Sequence, residues 1–206
     1  MEKKYTQIIN HYEKCYLEHG DNNLGVDWPN LEDALTRYQI MSEGIEYLQA
    51  KSCLDFGCGL GHFYEFLKQT NYRLDEYAGL ELSRKMIDTC REKHPNINFY
   101  HIDVLQEKWA MPGYDCAVMN GVFTEKLALS QADMFDYFKE LVEIVFNNVK
   151  KGVVLNVMSS QVDWKRDDLF HLSLDDIAWF VKERLSRKFI IRNDYGLYDY
   201  TVYIKK

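Results

Sequence analysis

The sequence predicts an α/β fold built on a mainly parallel sheet. From residue 51 onward, short apolar runs alternate with longer segments of helical periodicity, an order that produces βαβ units. Of the 206 residues, 47% are apolar and only three are proline, a composition typical of a globular chain with a sizeable core. This length suits one domain, in which residues 1–50 form an N-terminal helical cover and residues 51–206 form the main α/β unit.

The elements of the N-terminal half follow from local patterns. Residues 5–20 and 31–50 show helical patterns, and the turn-rich stretch DNNLGVDWPN separates them. Strands are predicted at 52–56, 77–82 and 97–103, with a helix after the first of them. A second helix begins after Ser83, a favoured N-cap residue, and ends before Pro95.

The C-terminal half continues the alternation and then changes its rhythm. Strands are predicted at 115–120 and 152–159, and the helix between them begins after Ser130 and stops at Gly152. A helix at 173–186 is followed by two strand-like runs, RKFIIRND and YDYTVYIKK, joined at YGL. Because so short a link cannot make a parallel crossover, these two runs must form an antiparallel hairpin.

Composition excludes several classes of function. The chain has 25 basic and 32 acidic residues, a net charge of −7, which disfavours a nucleic-acid partner. Its five cysteines are scattered and never spaced as C-x-x-C, so we expect no disulfide framework and no metal site. No apolar run approaches the ~20 residues that span a bilayer, and MEKKYTQIIN lacks a signal-peptide core. We therefore expect a cytoplasmic protein without a membrane partner.

The stretch CLDFGCGLGHF, residues 53–63, carries the main functional signal. Its glycines at 57, 59 and 61 follow a strand and open a helix, where free backbone N–H groups and the positive end of the helix dipole collect. The dinucleotide fingerprint G-x-G-x-x-G requires glycine at position 62, which is His62 here. A phosphate-binding P-loop would require Gly-Lys-Ser/Thr, which is absent from the turn. Glycines that only relieve strain in a strand-to-helix turn are the alternative.

With Asp55 two residues before the first glycine, the stretch resembles the D-x-G-x-G-x-G turn of class I S-adenosylmethionine-dependent methyltransferases. The resemblance implies a Rossmann-like three-layer sandwich with a seven-stranded sheet, whose C-terminal hairpin inserts an antiparallel strand. It also implies S-adenosylmethionine as the cofactor, with the turn around its amino-acid part and ribose. The cofactor contacts implied in the turn are Asp55, Gly57, Cys58, Gly59 and Gly61.

Further cofactor contacts are implied at the ends of the next three strands. An acid after the second strand can accept hydrogen bonds from both ribose hydroxyls, and an acid and the next amide after the third can bind adenine. The residues after the fourth strand would lie beneath the methionine part, and an arginine of the preceding helix could bind its carboxylate. These positions are Glu81, Leu82, Asp103, Val104, Asn120, Gly121 and Arg37.

Transfer of a methyl group from a sulfonium sulfur is an in-line displacement, in which the enzyme aligns the reactants and excludes water. The D/N-P-P-Y motif of amide and exocyclic-nitrogen methyltransferases is replaced here by NGVF. The long polar loop SQVDWKRDDLFHL should lie at the functional rim. Within it, His171 and Asp168 are the candidate bases or acceptor ligands, with packing and surface roles as alternatives. His19 and Trp28 could belong to a lid.

A small-molecule methyl acceptor is favoured, because the chain has no separate recognition domain and an acidic balance. The alternatives are methylation of a protein side chain, a non-catalytic S-adenosylmethionine-binding regulatory module, and a nucleotide-dependent reductase of similar fold. We expect a monomer or a homodimer.

Overall fold

The computed structural model describes residues 5–206. Its strands are β1 (Ser52–Phe56), β2 (Glu76–Leu80), β3 (Asn98–Tyr100), β4 (Cys116–Met119), β5 (Gly152–Ser159), β6 (His171–Leu172), β7 (Lys188–Arg192) and β8 (Asp199–Lys205). Its α-helices are α1 (Thr6–His19), α2 (Leu31–Tyr47), α3 (His62–Gln69), α4 (Arg84–Lys93), α5 (Gln131–Asn148) and α6 (Leu174–Phe180). A 3₁₀ helix spans Asn23–Val26, and a π-helical turn, Val181–Leu185, extends α6.

The strands form one sheet in the order β3-β2-β1-β4-β5-β8-β7. All neighbouring pairs from β3 to β5 are parallel, whereas β8 lies between β5 and β7 and is antiparallel to both. This arrangement confirms the predicted fold class, including the inserted C-terminal strand. The short β6, which the sequence did not predict, pairs in parallel with the end of β5.

Apolar cores lie on both faces of the sheet. Successive side chains of a strand point to opposite faces of the sheet. In β1, Cys53 therefore packs in the core formed with α2, α3 and α4, and Leu54 packs in the core formed with α1, α5 and α6. In α5, apolar residues recur at helical spacing and Phe138 is fully buried, as expected for a helix on one face of the sheet. The result is the predicted three-layer sandwich.

Local signals placed the helix starts correctly. The Ser83 and Ser130 hydroxyls accept hydrogen bonds from the backbone N–H groups of Met86 and Asp133, so both serines are N-caps. The third strand is shorter than predicted, because its partner β2 ends at Leu80 and pairing stops at Tyr100. Residues 101–103 therefore lie in a loop.

Within residues 5–206, no helix combines the length and apolar character required to cross a membrane.

Candidate active site

A cleft opens where the parallel strands β1, β2 and β4 end, at the edge where open α/β sheets bind ligands. It encloses about 980 Å³ of empty space, part of it open to solvent. The residues that these strand ends contribute to its lining are Asp55, Phe56, Gly57, Cys58, Gly59, Leu80, Glu81, Leu82, Asn120, Gly121 and Val122. The structure thus brings together eight of the predicted cofactor contacts.

The glycine turn forms one wall of the cleft. Gly57, Gly59 and Gly61 have φ values of +76°, +53° and +79°, a region that favours glycine. A Cβ atom at position 57 would lie 2.7 Å from Val122 Cγ2, so space as well as conformation requires glycine there. Gly61 itself is the N-cap of α3 and does not line the cleft.

Glu81 joins the end of β2 to the glycine turn. Its Oε2 accepts a hydrogen bond from Gly59 N at 3.2 Å, and its Oε1 accepts from the N–H groups of Leu82 and Ser83 at 2.7 and 2.8 Å. Burial raises the pKa of Glu81, and these three backbone donors act in the opposite direction. A carboxylate has about four lone-pair sites and these donors take three, so Glu81 retains about one acceptor site for a hydroxyl of a diol in the cleft.

Asp55 is the second acid of the lining and is 2% exposed. The Tyr77 hydroxyl donates to its Oδ2 at 2.6 Å. Burial raises the pKa of Asp55 to about 7, and the charge of Glu81 acts in the same direction. Asp55 therefore titrates near neutral pH, beside the glycine turn.

A hydrogen-bond network supports the floor of the cleft and includes Arg37. Asn156 accepts from Gly121 N at 2.8 Å and donates to Asn120 Oδ1 at 3.1 Å and to Asp199 Oδ2 at 2.9 Å. Arg37 donates two hydrogen bonds to the same Asp199 carboxylate, at 2.8 and 3.0 Å. The Arg37 guanidinium is thus paired with Asp199 and does not line the cleft, so its predicted role toward the cofactor's carboxylate gains no support and stays a prediction.

The N-terminal segment forms the outer wall. Tyr5, the N-cap of α1, and the α1 side chains at positions 8, 9 and 12 line the cleft, and the four follow the helical i, i+3, i+4, i+7 spacing. Trp28 reaches over Gly121, where a Cβ atom would lie 2.7 Å from its Cζ2, and stacks on Arg37 with the guanidinium carbon 4.4 Å from the ring centroid. Sequence reasoning named Trp28 but missed the α1 residues, although their spacing was a usable signal. His19 is exposed at the end of α1.

Asp103 and Val104 lie beside the cleft, not in its lining. Both border a smaller adjacent cavity that shares Tyr5, Phe56, Leu82 and Tyr137 with the main cleft. The Tyr5 hydroxyl donates to Asp103 Oδ2 at 2.8 Å. Their predicted role toward adenine stays a prediction.

The structure also places His171 and Asp168 outside the lining of the cleft. The loop after β5 folds back onto the loop after β4, as the bridge between Leu169 and Glu125 shows. This carries His171 into β6, where its Nδ1 lies 2.7 Å from Ser159 O. Asp168 forms a bidentate pair with Arg166, which lowers the pKa of Asp168. The predicted roles of both residues toward an acceptor gain no support from these positions.

The cleft suits S-adenosylmethionine. Gly57 and Gly59, which lack Cβ atoms, let a ligand approach the backbone of the turn, and the Glu81 carboxylate provides an acceptor for a ribose hydroxyl. Apolar side chains between these groups offer surfaces for a flat adenine ring. They are Phe56, Leu80, Leu82, Met86 and Tyr137.

Comparison with known proteins agrees with this geometry. Residues 53–148 match a family model described as a methyltransferase domain. The Mycobacterium tuberculosis (strain H37Rv) protein Rv1506c, which carries the name of a methyltransferase, is 24% identical over 157 residues, 74% of this chain and 91% of that one.

Solved structures share the fold. Magnesium protoporphyrin IX methyltransferase from Synechocystis PCC 6803 with bound S-adenosylhomocysteine has a TM-score of 0.67 at 12% identity, covering 97% of this chain and 98% of that one. The plantazolicin methyltransferase BpumL, in complex with a triazolic substrate analogue and S-adenosylhomocysteine, has a TM-score of 0.59 at 18% identity, covering 95% of this chain and 83% of that one.

The fold and the cleft are similar to those of class I methyltransferases that use S-adenosylmethionine. Residues 53–148 carry a methyltransferase domain, and the protein is an S-adenosylmethionine-dependent methyltransferase, as its glycine turn indicated.

Proposed function

We propose that this enzyme transfers the methyl group to a small-molecule acceptor. The observation that carries the proposal is the outer wall of the cleft. Residues of α1 and Trp28 line the cleft together with Asn120 and Gly121, and Trp28 lies over Gly121, so protein borders the end of the cleft where the resemblance to methyltransferases would place the methyl group. A long peptide or a folded protein would require an open groove at this point, whereas a small molecule fits under such a cover.

When bound, S-adenosylmethionine supplies an electrophilic methyl group. The acceptor's lone pair attacks the methyl carbon as the carbon–sulfur bond breaks, its electrons return to sulfur, and a protic acceptor then loses a proton. The chain's own contribution is alignment by the strand ends and exclusion of water by the cover. In this proposal residues 1–50 form a cover or lid within one domain, and residues 51–206 form the methyltransferase unit.

The first test is calorimetric titration with S-adenosylmethionine and S-adenosylhomocysteine, with NADH as the competing ligand. Gly59→Arg would fill the turn, and Glu81→Ala would remove the carboxylate. We expect each to weaken binding at least about tenfold, which corresponds to roughly 1.4 kcal/mol. Glu76→Gln, an exposed acid at the start of the same strand, is the matched control and should bind as the wild type does. Binding of NADH with neither sulfur compound would sink the proposal.

The second test separates the acceptor classes. The enzyme is incubated with S-adenosylmethionine labelled in its methyl group and with three mixtures: small metabolites, short peptides and folded proteins. Label in the small-molecule fraction supports the proposal, and label confined to peptides or proteins supports a protein methyltransferase instead. Tight cofactor binding without label in any mixture would favour a non-catalytic binding module.

A cytoplasmic location and a monomeric or homodimeric state complete the proposal. Support for a reducing compartment comes from the cysteines, all five of which are free in the described residues. Fractionation of cells and light scattering of the purified protein test these two points.

A further inference from the structure

A second cluster of polar side chains lies where α1 meets the end of the 3₁₀ helix. His11 and Cys15 are one helical turn apart on α1, and Asp27 is the C-cap of the 3₁₀ helix. His11 Nε2 lies 2.7 Å from Asp27 Oδ2 and 3.8 Å from Cys15 Sγ, and the three atoms all lie within 4.8 Å of one another. Nitrogen, sulfur and carboxylate oxygen thus converge on one point.

Glu125, in the loop after β4, lies in the neighbourhood of this cluster, although its carboxylate is not among the atoms that lie within 4.8 Å of one another. Its side chain is only 4% exposed, and its Oε2 has no hydrogen-bond partner among residues 5–206. The charge of this carboxylate interacts with those of Asp27 and His11. The guanidinium in the vicinity belongs to Arg166, which is already in a bidentate pair with Asp168. A buried carboxylate oxygen without a donor is costly, which indicates a missing partner.

A second His–Asp pair, between the N-terminal cover and α3, has a lysine as a further partner of its carboxylate. His62 Nε2 lies 2.8 Å from Asp21 Oδ1, and Lys93 Nζ lies 2.9 Å from Asp21 Oδ2. There the carboxylate has a lysine as its cation. Around His11 and Asp27, the neighbouring groups are the Cys15 thiol and the Glu125 carboxylate, and among residues 5–206 no lysine pairs with Asp27.

We propose that His11, Cys15 and Asp27 bind a divalent transition metal of the zinc type, and that the nearby Glu125 carboxylate turns toward the ion as the fourth ligand. Metal–ligand bonds of about 2.0–2.3 Å place the ligand atoms of a tetrahedral site roughly 3.3–3.8 Å apart. The nitrogen–sulfur distance already fits, and the hydrogen bond between His11 and Asp27 must lengthen by about half an ångström. One sulfur and one imidazole among the ligands favour zinc or cobalt over magnesium or calcium.

Binding requires no oxidant or reductant. The Cys15 thiol loses its proton to solvent and donates a sulfur lone pair, His11 keeps its proton on Nδ1 and donates from Nε2, and the two carboxylates donate from oxygen. The bound ion would join α1, the end of the 3₁₀ helix and the loop after β4, next to Tyr12 in the wall of the cleft. Sequence spacing did not reveal the site because its ligands come from three separate segments. The inference does not depend on the identity of the methyl acceptor.

The test is a titration of the full-length, chelator-treated protein with cobalt(II) under anaerobic conditions, followed by optical absorption. We expect one equivalent to bind, with a sulfur-to-cobalt charge-transfer band, and zinc to displace it. Cys15→Ser should abolish that band, and Glu125→Gln should weaken cobalt binding at least about tenfold. Asp21→Asn, which alters the cluster paired with Lys93, is the matched control and should leave the charge-transfer band and the affinity for cobalt unchanged.

Circular dichroism of each variant, recorded before metal is added, separates loss of ligands from loss of folding. The proposal is overturned if the wild type shows no saturable binding near one equivalent, or if the charge-transfer band survives in a folded Cys15→Ser protein. Equal weakening by Asp21→Asn would also overturn it, because binding would then not be specific to this cluster.

Discussion

At the scale of single residues, two acids at the ends of neighbouring strands have contrasting partners. Three backbone N–H groups donate to the Glu81 carboxylate, whereas Asp55 has a hydroxyl donor in Tyr77 and is 2% exposed in the lining of the cleft. Burial raises the pKa of both carboxyl groups, and that of Asp55 reaches about 7. The difference follows from donors: backbone amides stabilise the ionised form of Glu81 more than one hydroxyl stabilises that of Asp55.

The raised pKa of Asp55 predicts a pH-dependent stability. Its folded pKa of about 7 exceeds the ordinary value of 3.8, so between these values the folded state holds more protons than the unfolded state. The contribution of Asp55 to the free energy of unfolding is therefore full below pH ~4 and falls as pH rises to ~7, by up to about 4 kcal/mol. Urea unfolding of the wild type and of Asp55→Asn across this range measures it: the wild-type advantage should shrink with rising pH.

Asp75→Asn provides the control, because Asp75 is exposed just before the strand that pairs with β1. Its unfolding free energy should run parallel to that of the wild type at every pH. A difference between the wild type and Asp55→Asn that stays constant, or that grows as pH rises, would show that the burial of Asp55 does not control its ionisation.

At the scale of elements, two features hold α2 against the sheet: close packing at Gly44 and an ion pair between Arg37 and Asp199. A Cβ atom on Gly44 would lie 2.7 Å from both γ-methyl groups of Val154 and 2.8 Å from a ring carbon of Tyr203. About two helical turns earlier, Arg37 pairs with Asp199 at the start of β8, with side chains 11% and 3% exposed. The close approach of helix and sheet thus depends on the absence of a side chain at position 44.

Gly44→Ala should therefore destabilise the protein. Replacing a helical glycine by alanine ordinarily gains up to about 1 kcal/mol, whereas overpacking a filled core costs about 1–3 kcal/mol. Because Val154 is fully buried and cannot move aside, we expect the overpacking to prevail, with a lower denaturant midpoint. Gly113→Ala, whose nearest neighbour would be Lys150 Cε at 3.4 Å, is the control and should change stability little. An unchanged or raised midpoint for Gly44→Ala would mean that α2 can shift outward without cost.

The elements also show what the sequence could predict. The glycine turn and the serine caps were predictable because each depends on residues that are close together in the sequence. The pairing of Arg37 with Asp199 was not, since the partners are 162 residues apart. The loop after β5 folds back and places His171 in β6, and this could not be predicted for the same reason: it depends on contacts with residues distant in the sequence.

At the scale of the whole molecule, the cleft lies between a tightly packed sheet and a more loosely attached segment. Polar contacts of α1 with α4 include Tyr16 to Thr89 at 2.7 Å and Glu13 to Lys85 at 2.6 Å. The Glu13–Lys85 pair is partly exposed, and such pairs contribute about 0–1 kcal/mol. In contrast, β5 and β8 share seven register positions and are buried along most of their length. The N-terminal segment can therefore open at lower cost than the sheet.

This contrast predicts which segments will show slower amide hydrogen exchange when a ligand binds. If residues 6–28 cover a bound cofactor, S-adenosylhomocysteine should slow amide hydrogen exchange in α1 and the 3₁₀ helix, as well as in the glycine turn. Exchange in β5 and β8 should change little, because those strands are already protected by the core. Mass spectrometry of peptic fragments, with and without the ligand, gives the comparison, and Glu81→Ala at the same ligand concentration should show no slowing. Protection of the glycine turn without any change in residues 6–28 would mean that the cofactor binds while the N-terminal segment plays no part in closing the site.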